Sequence, residues 1–367
     1  MASLAVHLPP LSLRNPILSA SGTYGHAAEM QNMISVSRIG GLVSKTVTLK
    51  PRHGNPAPRI CETEAGFLNS IGLENKGLDY YRREMLPTMS SIDTCVVTNI
   101  GAERVEDFVE LAAALADEPA IDALEVNLSC PNVQDGKLPF ATDPVVAARV
   151  IERVKAVTKK PIFAKLSPNV SRIGEMAVAV ESAGADAITA VNTVLGMQVN
   201  WRTGKPGLYT VQGGYSGTAI KPIALRCAWE CARSVRIPII GCGGITTASD
   251  VLEFLVVGCT AVQIGTASFG DPGIVGRLAD EVNALLDAEG IEDVRDLIGT
   301  LRLPDTSPRC APAPKSSLGT RASAGASNED AATRTGDRHA SDASAARPAR
   351  PSMAQVDAAI AKGGAPT

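Results

Sequence analysis

Ile162-Phe-Ala-Lys-Leu166, a helix-type run over residues 172–183, Ala183-Gly-Ala-Asp186 and then Ala187-Ile-Thr-Ala-Val-Asn192 make up the stretch on which the fold turns. The two outer segments are short and apolar on both faces, as strands covered on both sides of a parallel sheet are. Gly184 sits where a helix preceding the second strand would end, and a glycine there accepts the left-handed conformation of a C-cap. Strand, helix and strand in this order form one βα unit followed by the start of the next.

The same alternation extends in both directions. Candidate strands lie at 17–20, 41–45, 95–99, 123–128, 162–166, 187–192, 238–241 and 261–265, and helix-type runs at 103–116, 143–157, 172–183, 222–235 and 248–257. Val257-Gly-Cys259 repeats the glycine stop before a strand. Eight such units within about 280 residues predict an α/β fold, a (β/α)8 TIM barrel. A doubly wound nucleotide fold would carry Gly-x-Gly-x-x-Gly after an early strand, and none is present.

Composition narrows the function classes. Apolar residues make up 45% of the 367 and aromatic residues only 4%, which suits a large core of Ala, Val, Ile and Leu. A net charge of -3 gives no reason to expect a nucleic acid or an anionic membrane as partner. No apolar run approaches the roughly 20 residues of a membrane span. Residues 1–10 lack a basic region and are broken by prolines, so they do not read as a signal peptide and a cytoplasmic location is expected. The eight cysteines form no Cys-x-x-Cys pair, and Cys227 and Cys231 share a helix face as packing residues rather than as metal ligands. The four histidines do not cluster with acids or cysteines at metal spacing, so no metal site is expected. After residue 303 the chain turns rich in Ala, Pro, Ser, Arg, Thr and Gly. The expectation is a folded domain over 1–303 and a disordered tail over 304–367, with at most a short helix at 353–361.

In such a barrel the reacting groups project from the carboxyl ends of the strands. Those ends carry Ser21-Gly22, Lys45-Thr46, Asn99, Asn127 followed by Cys130, Lys165, Asn192-Thr193, Gly243-Gly244 and Gly265-Thr266. One asparagine at a strand end reads as a turn former; eight ends that all carry a polar group or a glycine read as a ligand site. The glycines after strands 7 and 8 let backbone N–H groups approach a phosphate, whereas the plain alternative is a pair of tight turns. Lys45 and Lys165 lie in apolar strands, where a cation is costly unless paired or used. Two cations facing one ligand suit a carboxylate or an electron-rich ring. Cys130, in Asn127-Leu-Ser-Cys-Pro-Asn132, is the candidate base or nucleophile, since a cysteine near lysines can become thiolate. Its plain alternative is an inert half-buried thiol.

In these residues the sequence resembles the class 1 dihydroorotate dehydrogenases over residues 4–303. The resemblance rests on Ala20-Ser-Gly-Thr-Tyr-Gly25, Ser44-Lys-Thr-Val-Thr48, Pro51-Arg-His-Gly-Asn-Pro56, Leu68-Asn-Ser-Ile-Gly-Leu73, Asn127-Leu-Ser-Cys-Pro-Asn132, Ala164-Lys-Leu-Ser-Pro-Asn169, Val191-Asn-Thr193, Gly214-Tyr-Ser-Gly217 and Gly241-Cys-Gly-Gly244, in that order. The Lys-Leu-Ser-Pro-Asn and Arg-x-Gly-Asn-Pro segments look most like the NAD-linked subtype, class 1B. That resemblance implies oxidation of dihydroorotate to orotate in pyrimidine biosynthesis. It also implies a partner subunit that carries FAD and a [2Fe-2S] cluster, and a homodimeric core within a heterotetramer.

Carried over by residue, FMN would be held by Ser21, Lys45, Thr46, Asn99, Asn127, Lys165, Val191, Gly217, Gly243, Gly244, Gly265 and Thr266. Dihydroorotate would meet Lys45, Asn69, Ser70, Ile71, Gly72, Leu73, Asn127, Asn132, Asn192 and Thr193. Cys130 would take the C5 proton, and Lys165 would stabilise charge on the reduced flavin. The chain departs from related sequences at Tyr24-Gly-His26, at Cys242 and in the tail. The alternatives are a dihydropyrimidine dehydrogenase-like barrel acting on uracil or thymine, and a non-catalytic flavin-binding scaffold.

Overall fold

The structure, a computed structural model, describes residues 2–26, 30, 38–129 and 140–304. The sequence expectations for Cys130, for Asn132 and for the tail beyond residue 304 therefore lie outside the described residues.

Eight parallel strands close into a barrel. In chain order they are Ile17–Ser19, Gly41–Val43, Cys95–Ile100, Ala123–Asn127, Ile162–Leu166, Ala187–Ala190, Ile239–Cys242 and Ala261–Ile264. Each pairs with the next, and the eighth returns to the first through Val262↔Ile17 and Ile264↔Ser19. All eight coincide with the runs expected from the sequence. Strands four to eight are buried at every position, which is why they carry no polar–apolar alternation.

The covering layer includes helices Val105–Leu115, Pro144–Lys155, Ile173–Ser182, Lys221–Ser234, Ala248–Val256 and Ile274–Glu289. Each turns an apolar stripe inward; in Ile173–Ser182 it is Ile173, Met176, Ala177 and Val180, spaced three and four apart. The expected glycine stops are present. At Gly184 (φ +97°) the N–H groups of Gly184 and Ala185 donate to the carbonyls of Glu181 and Val180. At Gly258 (φ +113°) those of Gly258 and Cys259 donate to Leu255 and Phe254. Both satisfy the last carbonyls of a helix and aim the chain into a strand.

The start of Ala248–Val256 is held by charge as well as by hydrogen bonds. Thr247 and Asp250 form a reciprocal capping box, and Lys221 Nζ donates to Asp250 Oδ1 at 2.5 Å and Glu253 Oε2 at 2.9 Å. Burial alone would raise the Asp250 carboxyl, yet Lys221 and the N–H groups of Thr246 and Thr247 hold it down to about 2 from 3.8. A depressed carboxyl stabilises the folded state above its unfolded value and ceases to do so as pH falls through the folded one. Asp250→Asn is expected to cost ~1–2 kcal/mol at neutral pH. In denaturant titrations the gap from the parent should narrow between about pH 4 and pH 2.

Not foreseen was a four-stranded antiparallel sheet in the order Val194–Met197, Gln212–Ser216, Gly66–Asn69 and Ile60–Thr63. Its registers include Gly214↔Asn69 and Tyr215↔Leu68. No helix among the described residues is long and apolar enough to cross a membrane.

Candidate active site

The carboxyl ends of the barrel strands and the antiparallel sheet enclose a cavity of about 510 Å³, within the range of small-molecule and cofactor sites. Its wall includes Ser21, Lys45, Thr46, Asn99, Asn127, Lys165, Val191, Gly217, Gly243, Gly244, Gly265 and Thr266, so every residue expected to touch a flavin borders one space. Of the residues expected to meet the substrate, Lys45, Asn69, Ile71, Leu73, Asn127, Asn192 and Thr193 line the same cavity.

Ser70 and Gly72 do not line it. Ser70 Oγ accepts from Asn55 Nδ2 at 2.8 Å, and the Gly72 carbonyl accepts from Arg52 Nε at 3.4 Å. Gly72 has φ +72°, and a Cβ there would lie 2.7 Å from the backbone nitrogen of Asn55. These two residues shape the segment that presents Asn69, Ile71 and Leu73.

The inner faces of the strands explain how the polar side chains arrive. Successive residues of a strand point to opposite faces, so Glu125 and Asn127 share one face, as do Phe163 and Lys165. Lys165 is almost fully buried. Its Nζ donates to Gln263 Oε1 at 3.0 Å and stands 3.5 Å from Glu125 Oε1. Glu125, wholly buried, also accepts from Asn99 Nδ2 at 2.7 Å, Thr189 Oγ1 at 2.7 Å and Gln263 Nε2 at 2.6 Å. Asn99 Oδ1 in turn accepts from Thr46 Oγ1 at 2.6 Å, and Thr46 Oγ1 lies 3.4 Å from Ser21 Oγ. Asn192 Nδ2 donates to Asn127 Oδ1 at 3.3 Å.

Burial works against the Lys165 charge, but Glu125 outweighs it and leaves the ammonium above its ordinary value. At Cys242 burial dominates and pushes the thiol up, although Lys165 opposes this. Cys242 is thus a packing thiol in the wall, not a thiolate. Lys45 is half-buried and, among the described residues, makes no ion pair. The two lysines therefore differ: Lys165 has a counter-ion, and Lys45 has none among the described residues.

Several residues of the site were not singled out in the sequence. Glu125 and Gln263 lie behind the wall, and Arg59, Glu74, Phe67, Ser216 and Phe269 form part of it. Arg59 pairs with Glu74 at 2.9 Å, and Phe67 meets Phe269 edge to face at 5.9 Å. A signal for Glu125 existed: it stands two residues before Asn127 in an otherwise apolar strand, and a buried Lys165 requires a partner.

Comparison with known proteins agrees with this geometry. The family model described as Dihydroorotate dehydrogenase matches residues 3–286. A protein of Geobacter sulfurreducens is 46% identical over 300 residues, covering 82% of this chain and 98% of its own length. One from Geobacillus kaustophilus is 47% identical over 299 residues, covering 82% and 96%. One from Bacteroides thetaiotaomicron is 43% identical over 303 residues, covering 83% and 100%. All three carry the name dihydroorotate dehydrogenase B (NAD(+)), catalytic subunit. Among solved structures, DHODH from Eimeria tenella in complex with ferulenol has the same fold, with a TM-score of 0.68 at 22% identity over 81% of this chain and 88% of that one. With a family model spanning most of its length and relatives well above 40% identity, the chain belongs to the dihydroorotate dehydrogenase family.

Proposed function

We propose that this chain oxidises dihydroorotate to orotate in pyrimidine biosynthesis, with FMN held in the barrel mouth and NAD as the final electron acceptor. The observation that carries this reading is the single cavity shared by the strand-end amides, two lysines of different charge balance and the glycine-rich ends of strands 7 and 8. The names of the relatives support the substrate and the NAD linkage.

The residues present fit a flavin phosphate at one end and its ring at the other. Gly243 (φ +133°) and Gly244 (φ +76°) turn the chain past the cavity, and among the described residues their N–H groups make no hydrogen bond. Backbone donors left open beside a cavity suit an anionic oxygen. Gly217, Gly265 and Thr266 border the same space. Asn99, Asn127 and Lys165 would meet the ring, and the apolar Phe67–Phe269 pair would cover part of the cavity.

Bound FMN supplies the two-electron acceptor for the hydride that leaves C6 of the substrate. Lys45, with no counter-ion among the described residues, binds the substrate carboxylate. Asn69, Asn127, Asn192 and, from the sequence, Asn132 offer paired donors and acceptors to its urea and amide groups. Cys130 takes the proton from C5. Lys165 would lie beside the ring of a bound flavin, where its positive charge would favour the reduced form.

The word "subunit" in the relatives' name supports a partner protein, which we assign FAD and a [2Fe-2S] cluster and place in a heterotetramer around a homodimeric core. Self-association is supported by apolar side chains left outside the barrel: Leu195, Met197, Val199, Tyr209 and Trp201, the last 78% exposed. A cytoplasmic location fits this assignment.

Gly244→Ala tests the phosphate end. A Cβ there would lie 2.7 Å from the Lys221 backbone nitrogen, at a φ that costs an L side chain ~1–2 kcal/mol. FMN affinity, read by quenching of flavin fluorescence on titration of the apoprotein, should fall about tenfold, as a loss of that size implies.

Anaerobic titration of the yellow protein with L-dihydroorotate tests the whole reading. Bleaching of the flavin band is the expected result. Bleaching by reduced pyrimidines such as dihydrouracil, with none by dihydroorotate, would move the substrate to the uracil class. A protein that takes up no FMN would overturn the flavin site itself.

A further inference from the structure

Behind the cavity wall lies a carboxylate that does not reach the ligand. Glu125 is wholly buried inside the barrel, and its two oxygens gather side chains from four other strands: Asn99, Lys165, Thr189 and Gln263. Two of these, Asn99 and Lys165, are themselves part of the cavity wall. We propose that Glu125 is a positioning residue for flavin reduction: its buried charge is the counter-ion that holds Lys165 as a cation and sets the direction of the protons along Asn99, Thr46 and Ser21. The proposal rests on the flavin reading above.

Of the described groups around Lys165, one can be its counter-ion. From the fourth strand it is faced by Glu125 and from the seventh by Cys242. From the eighth it is faced by the neutral amide of Gln263. Neutral Thr189 and Asn99, on the sixth and third strands, meet the same carboxylate, and Lys45 on the second-strand side can only repel. Cys242 cannot serve as the counter-ion, because burial keeps its thiol protonated. A lysine this deeply buried with no anion beside it would give up its proton, since a low-dielectric site disfavours the charged form. Glu125 supplies that anion.

A carboxylate only accepts, so Asn99 must turn its Nδ2 toward Glu125, and this leaves Oδ1 to accept from Thr46. The Thr46 hydroxyl proton is thereby committed, and its oxygen faces Ser21 and the cavity as an acceptor. A ligand at that point is met by an acceptor, which suits an N–H of a ring imide. Loss of the Glu125 charge would let the Asn99 amide reverse and the whole chain with it.

Glu125→Gln keeps the shape and removes the charge. The test compares parent and variant, both loaded with FMN, across about pH 6 to 10, in anaerobic reduction by dihydroorotate and in the midpoint potential of bound FMN set by a dye couple. In the parent the profile should hold at its alkaline end, where Glu125 stands beside Lys165. In the variant an alkaline limb should appear, falling about tenfold per pH unit once Lys165 begins to deprotonate. The midpoint potential should fall with it relative to the parent, and Glu125→Asp should restore both profiles. An FMN-loaded Glu125→Gln with the parent's profile and potential would overturn the proposal.

If Glu125→Gln yields no folded protein, Glu125→Gln with Lys165→Met decides the matter. Folding of that doubly neutral protein supports the counter-ion role, and its failure to fold overturns it. The potential needs no dihydroorotate, so a wrong substrate assignment would show in the parent's reduction while the potentials still judged Glu125.

Discussion

Cys130→Ala is expected to bind FMN as the parent does and to oxidise dihydroorotate about 10²–10⁴-fold more slowly, the usual consequence of removing a general base. The residue lies outside the described residues, and its proposed role rests on its place in the sequence between Asn127 and Asn132. The described residues lead up to it: Asn127 lines the cavity, and its Oδ1 accepts from the Ser129 N–H at 3.2 Å. Cys242, the one cysteine lining the cavity among the described residues, cannot stand in, since burial pushes its thiol up. Anaerobic stopped-flow reduction separates the step from reoxidation. Undiminished reduction in the alanine variant would remove Cys130 from the chemistry.

Lys165→Met has two effects that a second substitution separates. Removing the ammonium leaves Glu125 buried without its cation, and breaking one side of such a pair costs ~3–5 kcal/mol in denaturant titration. Flavin reduction should slow by about 10², the size of effect seen when one preorganised electrostatic donor is removed. Adding Glu125→Gln removes the stranded charge, so most of the stability should return while reduction stays slow. Recovery of both together would mean that Lys165 matters only for packing.

The barrel was legible because its strands obey a single rule. Segments such as Ile162–Leu166 and Ala261–Ile264 are buried on both faces and read as short apolar runs, and helices that stop on Gly184 and Gly258 punctuate them. That the polar strand-end residues line one cavity was legible for a related reason: a polar group at the end of an apolar strand has few places to go except the barrel mouth. The antiparallel sheet was not legible. Gln212–Ser216 carries two glycines, and Val194–Met197 is half exposed, so neither resembles a core strand. Ser70 and Gly72 lie in the same motif as Asn69 and Leu73, and motif spacing alone does not tell which side chains turn outward. Glu125 was visible as a letter but not as a partner, because its four hydrogen-bonding neighbours come from strands far apart in the chain.

That last feature bears on how the chain is made. Glu125 meets Gln263 across 138 positions, and Lys165 meets Gln263 across 98. The first strand waits for the eighth, since Ile17 pairs with Val262. Until residue 264 has been synthesised, Glu125 lacks Gln263 and the first strand lacks the eighth. A truncation that stops short of the eighth strand would leave that edge of the first strand open.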